Sequence, residues 1–165
     1  GANRVGIKLS PVGRSLDMYD SDPIKLYSYF LPKLEERKIA YVQLMEPSPM
    51  HSEIKFKTTN HYGPGEDQIK DVAKTLRPFF KGTIICNNKL TPDEALAKIR
   101  AGDADLVSFG RWFISNPDLP LRIKNGWPLA DYDDNTFYGG DEKGYTDYPF
   151  YEEQQKQQNI EKTTA

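Results

Sequence analysis

The chain has 165 residues, of which 38% are hydrophobic, and its 22 basic and 24 acidic side chains give a formal net charge of −2. This length suits one ordinary domain, and no segment approaches the ~20 apolar residues of a membrane-spanning helix. The near-neutral charge argues against nucleic acid as a partner. Cys86 is the only cysteine, which excludes an intrachain disulfide and fits a reducing, cytoplasmic compartment. We expect no signal peptide, since the opening GANRVGIKLSP lacks a basic region followed by an apolar run.

Four short apolar runs predict strands, and each is followed by a segment that can return as a helix. The strands are Val5–Ser10, Ala40–Met45, Gly82–Cys86 and Asp105–Gly110. The helical segments are 23–37, 67–80, 91–102 and 116–126, and a long polar loop is predicted over 48–65. Pro32 favours a kink or break in the first helix.

The third helix has the clearest signals at both ends. Thr91 provides an N-cap, Pro92 stands at the first helical position, and Gly102 is a natural stop. Ala95, Leu96 and Ile99 form its predicted buried stripe. In the last segment, Asn116-Pro117-Asp118 is expected to cap a helix that ends near Gly126.

The strand runs are almost continuously apolar, which is typical of parallel strands covered on both faces, so the predicted class is α/β. Two architectures remain open at this point. One is a small, open, doubly wound sheet, and the other is part of a (β/α)8 barrel, whose usual size is ~250 residues. Four βα units make half a barrel, which leaves two sheet edges and one face uncovered and therefore needs a complement.

Barrel active sites lie where the strands end. Here those positions hold Lys8, Ser10, Met45, Glu46, Asn87, Asn88, Gly110 and Arg111. Gly110 would let an anion approach the backbone and Arg111 offers a forked cation, so this pair is a candidate phosphate site, although a turn with a solvated arginine has the same composition. His51 and His61 lack metal-ligand spacing, and Cys86 has no identifiable activating partner, so neither a metal site nor a cysteine nucleophile is expected.

Four segments in a fixed order are more specific than any single residue. They are RVGIKLSP, AYVQLMEP, LVSFGRWFISNPDLPLRI and TFYGG followed by GYTDYP. From about Asn3 to Tyr151 this order resembles the C-terminal half of the Old Yellow Enzyme family. The resemblance implies a (β/α)8 barrel that binds FMN and uses NAD(P)H to reduce activated C=C bonds, with this chain covering about strands 5–8 and the C-terminal extension. Residues 3–151 would form the half barrel, and 152–165 a polar tail that is either disordered or a frayed helix.

The resemblance also implies roles for individual residues. Lys8 matches the basic residue, usually arginine, beside the flavin pyrimidine ring. The FMN phosphate clamp is matched by Asn87, Asn88, Gly110 and Arg111. The family often has glycine where Asn87 stands, and asparagine tolerates a left-handed backbone better than most residues. Phe137 and Tyr138 match the aromatic pair at the substrate mouth, with Tyr138 as the main contact, and 48–65 matches a variable flap beside it.

The family's substrate-anchoring histidine and proton-donating tyrosine lie in the N-terminal half, so no catalytic residue is assignable in this chain. The leading hypothesis is therefore the FMN-binding half of an ene reductase that works with an N-terminal half barrel on a small, enone-type substrate. The alternative is a non-catalytic fragment or split-barrel module that associates through its open sheet edges. A third hypothesis is an independent α/β sheet of unrelated function.

Overall fold

The computed structural model describes residues 1–13, 20–47, 69–138 and 140–164. The predicted loop and flap over 48–65, with His51 and His61, lie outside these ranges. The chain divides into two compact units, Gly1–Ser108 and Phe109–Ala165. Within the described ranges, no helix is both long and apolar enough to cross a membrane.

The first unit alternates strands and helices in the predicted order. Its strands are β1 (Gly6–Leu9), β2 (Tyr41–Met45), β3 (Thr83–Asn87) and β4 (Leu106–Ser108), and its helices are α1 (Pro23–Glu36), α2 (Val72–Leu76) and α3 (Pro92–Ala101). Pro32 lies inside α1 without ending it. The segment predicted as one helix over 67–80 contains α2 followed by a short 3-10 turn, Arg77–Phe79.

The four strands form one parallel sheet in the order β1-β2-β3-β4. Right-handed crossovers between sequential parallel strands place every return helix on the same face of the sheet. A doubly wound sheet instead reverses its strand order so that helices cover both faces. The observed order is that of a barrel segment, which decides between the two architectures that the sequence left open.

The strand register separates a covered face from an open face. The covered face carries the buried core side chains Val42, Leu44, Ile84 and Cys86, which pack with Leu31 and Leu34 of α1 and Val72, Ala73 and Leu76 of α2. The open face carries Lys8, Gln43, Ile85 and Leu106 in one row, and Met45, Asn87 and Ser108 in the next. Lys8 is exposed and Leu106 is 52% exposed, so in the described residues one face of the sheet is open, as expected for half a barrel.

The helix α3 begins and ends as its sequence predicts. Thr91 and Glu94 form a reciprocal capping box, and Gly102 ends the helix in a left-handed conformation with φ of 75°. Hydrogen bonds from Thr91 lower the pKa of Glu94. Ala95 is buried, but Leu96 and Ile99 are 43% and 42% exposed, so the predicted buried stripe is wrong for these two residues.

A buried carboxylate holds α2 and α3 to the end of β2. Glu46 Oε2 accepts a hydrogen bond from the Val72 amide at 2.7 Å and Oε1 accepts one from the Ala73 amide at 3.1 Å. Lys98 Nζ of α3 lies 3.0 Å from Glu46 Oε1 and 2.8 Å from Asp71 Oδ1. Glu46, at the end of β2, therefore has a structural role.

Among its described residues, the second unit contains three α-helices: α4 (Arg111–Ser115), α5 (Leu119–Asn125) and α6 (Tyr151–Thr164). Gly126 ends α5 in a left-handed conformation, as predicted. Asp118 stands at the N-cap of α5, but its side chain makes no capping hydrogen bond. Residues 152–164 of the predicted polar tail lie in α6, which begins at Tyr151.

Candidate functional site

The polar side chains of the open face converge where β3 and β4 end. Asn87 Nδ2 donates to Ser108 Oγ at 2.8 Å and to the Ser108 carbonyl oxygen at 3.1 Å. Gln43 Nε2 reaches the same Ser108 Oγ at 2.9 Å. Lys8 is the register partner of Gln43 on β1, and its side chain is exposed. Within the first unit, the structure therefore places Lys8 and Asn87 on one face, and Ser108 links Asn87 to Gln43.

The neighbouring asparagine turns away from this cluster. Asn88 Nδ2 donates to the Glu46 carbonyl oxygen at 2.7 Å, which ties the end of β3 to the end of β2. Asn87 remains in the strand, and the positive φ values lie just after it, at Asn88 with φ of 96° and Lys89 with φ of 53°. Part of the Asn88 side chain is thus committed to a structural contact.

Gly110 and Arg111 begin the second unit's first helix. Gly110 has φ of −105°, so glycine is not needed there for a left-handed backbone. A methyl group built on Gly110 would meet no described atom within 4 Å, which leaves its backbone open to a ligand. Arg111 Nη1 lies 3.7 Å from Asp134 Oδ1, longer than a hydrogen bond, and its side chain is 31% exposed. This guanidinium retains donors for an anion.

Four aromatic side chains in the second unit form a connected group. Tyr132 packs edge-on to Trp112 with ring centroids 5.2 Å apart, and against Phe137 at 5.6 Å. Phe137 in turn contacts Tyr138 at 6.4 Å, in a T-shaped arrangement. Tyr138 is 92% exposed, whereas Phe137 is half-buried. The predicted aromatic pair therefore consists of a packed ring and an exposed ring whose hydroxyl is available to a ligand.

The motif residues of the second unit outside Gly110 and Arg111 hold its loops together. Asn116 donates through Nδ2 to the carbonyl oxygens of Trp112 and Ala130, and its Oδ1 accepts from the Ala130 amide at 2.8 Å. Arg122 is 1% exposed and donates to the carbonyl oxygens of Pro128 and Pro149. These bonds position the segments on either side of Phe137 and Tyr138.

Cys86 is a packing residue. Its thiol is fully buried and donates to Glu46 Oε1 at 3.1 Å. Burial, followed by the nearby Glu46 carboxylate, raises the pKa of this thiol far above its ordinary value. A thiol that stays protonated is a poor nucleophile. The described residues contain no group of three His, Cys, Asp or Glu side chains that could hold a metal ion.

Gln43 and Ser108 are not among the residues that the sequence predicted for the site. Gln43 lies in AYVQLMEP and Ser108 in LVSFGRWFISNPDLPLRI, but neither residue type indicates a role by itself. The signal that would have found them is the alternation of side chains: Gln43 lies two residues before Met45, and Ser108 ends a strand next to the strand of Asn87. Only the register shows that both amides reach one hydroxyl.

Residues 1–130 match the model of the NADH:flavin oxidoreductase / NADH oxidase family. Among curated relatives, 12-oxophytodienoate reductase 7 of Oryza sativa subsp. japonica is 38% identical over 156 residues, which cover 91% of this chain and 39% of the rice protein. Flavin oxidoreductase hxnT of Emericella nidulans is 38% identical over 159 residues, covering 91% of this chain and 41% of the fungal protein. The chain thus spans about two-fifths of the length of the curated relatives it matches.

Solved structures also match this chain over about a third of their own length. Morphinone reductase in complex with tetrahydroNAD superimposes with a TM-score of 0.71 and 37% identity, over 91% of this chain and 36% of that chain. The old yellow enzyme from Trypanosoma cruzi superimposes with a TM-score of 0.75 and 32% identity, over 92% and 36%. The chain therefore belongs to the NADH:flavin oxidoreductase / NADH oxidase family, which includes the old yellow enzymes and whose cofactor and reductant are FMN and NAD(P)H.

Proposed function

We propose that this chain is the FMN-binding half of an NAD(P)H-dependent ene reductase, corresponding to about strands 5–8 of the barrel and its C-terminal extension. The observation that carries the proposal is the sequential parallel sheet whose open face bears Lys8, Gln43, Asn87 and Ser108 toward its carboxyl end. Barrel enzymes bind their ligands at that end. The substrate class is a small molecule with an activated C=C bond.

Phosphate binding is assigned to Gly110 and Arg111. The open space in front of Gly110 and the loosely paired Arg111 guanidinium suit an anion with several acceptor oxygens. Asn88 remains a candidate neighbour of the cofactor through the part of its side chain that does not bind Glu46. Bound FMN supplies the hydride chemistry, while the protein residues supply position and charge.

Lys8 is assigned to the pyrimidine side of the flavin ring. Its ammonium group is exposed on the open face, so it can meet negative charge that develops on a ligand there. Lysine retains the charge of the arginine that is usual in the family but makes no forked, two-point contact. The substrate contact is assigned to Tyr138, whose ring packs edge-on against that of Phe137.

The partner in this proposal is the N-terminal half of the barrel. It would cover the open face and pair with the outer strands β1 and β4, each of which has one described neighbour in the sheet. It would also supply the proton donor and the substrate anchor. The competing candidate, a module that associates without catalysis, rests on the same uncovered face and differs only in binding no flavin.

Visible absorption tests the proposal directly. The chain is purified alone and after co-expression with the N-terminal segment of a family relative, and denaturing mass analysis identifies every polypeptide in each sample. We expect a bound-flavin band in the two-chain sample, bleached by NADPH and restored by an enone. A two-chain complex without flavin would support the non-catalytic module instead.

The Arg111→Ala variant tests the phosphate assignment in the same complex. Loss of a charge-assisted donor should weaken FMN binding by about tenfold or more and leave riboflavin binding nearly unchanged. Arg100→Ala, which removes an exposed arginine from α3, is the matched control and should alter neither. Equal losses for the two flavins would exclude Arg111 from the phosphate site.

A further inference from the structure

The Asn87 and Ser108 side chains meet at the carboxyl ends of β3 and β4, and their hydrogen bonds fix how each is oriented. Asn87 Nδ2 lies 3.1 Å from the Ser108 carbonyl oxygen. Because a carbonyl oxygen can only accept, the amide nitrogen of Asn87 must face Ser108. The amide oxygen, Oδ1, consequently points away from it.

The Ser108 hydroxyl is saturated as an acceptor. Its oxygen receives Asn87 Nδ2 at 2.8 Å and Gln43 Nε2 at 2.9 Å. A serine hydroxyl has two lone pairs and one proton, so both acceptor positions are filled and the proton remains. Because Gln43 fills one of these acceptor positions, the hydroxyl can only donate to a further partner. Gln43 is therefore a positioning residue.

Two hydrogen-bonding groups are therefore left over on the open face. Neither Asn87 Oδ1 nor the Ser108 hydroxyl proton has a partner among the residues that the structure describes. Both side chains are only half-buried and lie on the open face, so a ligand can reach these two groups. The pair offers one acceptor and one donor to a ligand.

A ligand hydroxyl matches this pair because it donates and accepts through the same oxygen. A phosphate group matches poorly, since its oxygens only accept at neutral pH and would face the partial negative charge of Asn87 Oδ1. We infer that Asn87 and Ser108 bind a hydroxyl of the FMN ribityl chain. This inference rests on the proposed function, and it separates the Asn87 side chain from the phosphate clamp that the family resemblance implied.

The test compares FMN with riboflavin, which retains the ribityl chain and lacks the phosphate. Dissociation constants are measured from the quenching of flavin fluorescence in the two-chain complex, for the wild type and for Ser108→Ala. We expect Ser108→Ala to weaken both flavins by the same factor, about fivefold, as for one neutral hydrogen bond. Ser108→Thr retains the hydroxyl and should stay within about twofold of the wild type.

Asn87→Ala provides a second variant, independent of Ser108, and should also weaken both flavins equally. Unfolding midpoints without flavin show whether either variant is folded. A loss confined to FMN, or no loss in either variant, would overturn the inference while the proposed function stands. A wild-type complex that binds neither flavin would overturn both.

Discussion

Arg122 Nε lies 2.6 Å from Asp118 Oδ1 one helical turn earlier, and both side chains are almost completely buried. The other Asp118 oxygen accepts the Tyr151 amide at 2.9 Å, and the Arg122 guanidinium lies 5.4 Å from the Tyr151 ring centroid. This buried pair therefore connects α5 to the first residue of α6. It explains why Asp118 makes no capping bond: its carboxylate is used elsewhere.

Arg122→Ala should strongly destabilise the second unit. The substitution leaves the Asp118 carboxylate buried without its cation, which typically costs about 3–5 kcal/mol of the free energy of unfolding. Trp127 stacks on Tyr151 at 4.5 Å, so tryptophan fluorescence during denaturant unfolding reports the loss. Lys33→Ala, which breaks an exposed ion pair with Glu36, is the control and should cost under about 0.5 kcal/mol. Equal costs for the two variants would contradict a stabilising role for the buried pair.

Asp118 also makes stability depend on acid. Burial alone would raise the pKa of Asp118, but hydrogen bonds from the Tyr151 amide and Arg122 outweigh burial, and the pKa lies below its ordinary value. The unfolded chain then binds more protons than the folded chain, so the contribution of Asp118 is complete above the unfolded pKa of ~3.9 and is lost as pH falls through the folded pKa.

Asp118→Asn measures this contribution. The difference between wild type and variant in free energy of unfolding should be constant above about pH 5 and should shrink steadily below about pH 4. Denaturant unfolding at a series of pH values gives the difference directly. Asp131→Asn changes an exposed carboxyl of the same unit and should show no comparable trend. A difference that grows toward low pH would reverse the assigned sign.

Lys98 stabilises the first unit through its ion pairs with Glu46 and Asp71. Although burial lowers the pKa of Lys98, its bonds to Asp71 and Glu46 outweigh burial and raise the pKa overall. Lys98→Met should cost about 3 kcal/mol, because it leaves Glu46 as an unpaired buried carboxylate. Cys86 provides the measurement, since its buried thiol should react with a disulfide reagent only when the unit opens. Faster reaction of Cys86 in Lys98→Met than in the control Lys74→Met is expected, and equal rates would contradict the role of Lys98.

Local sequence signals predicted the elements whose causes are local. The N-cap at Thr91 and the helix stops at Gly102 and Gly126 all depend on neighbours within a few residues, and all are present. Leu96 and Ile99 have helical spacing but are exposed, because spacing defines a helix face without showing whether anything packs on it.

The candidate site was predictable only in part, because local sequence patterns do not show contacts between residues that are far apart in the chain. The order of the motifs predicted roles for Lys8, Gly110, Arg111 and Tyr138. Lys8 and Arg111 are cations, Gly110 leaves its backbone accessible and Tyr138 provides an aromatic ring. The hydrogen bonds of Gln43 and Asn87 to Ser108 join positions far apart in the chain, and only the strand register brings them together. Sequence patterns also gave Asp118 a capping role, because the distant Tyr151 that competes for its carboxylate is invisible to local reasoning.

Phe137 and Tyr138 should separate stability from substrate binding. Phe137→Ala removes a half-buried ring from contact with Tyr132 and should cost about 1–2 kcal/mol of the free energy of unfolding. Tyr138→Ala removes a ring that is 92% exposed and should change that free energy by less than about 0.5 kcal/mol. In the two-chain complex, Tyr138→Ala should raise KM for an enone while kcat changes little, as expected for a contact made equally in ground and transition states.

Tyr145→Ala is the control for both measurements, because Tyr145 is 46% exposed in the same unit. An unchanged KM in Tyr138→Ala would remove this residue from the substrate site, whereas a large loss of stability would mean that its ring packs against something other than substrate.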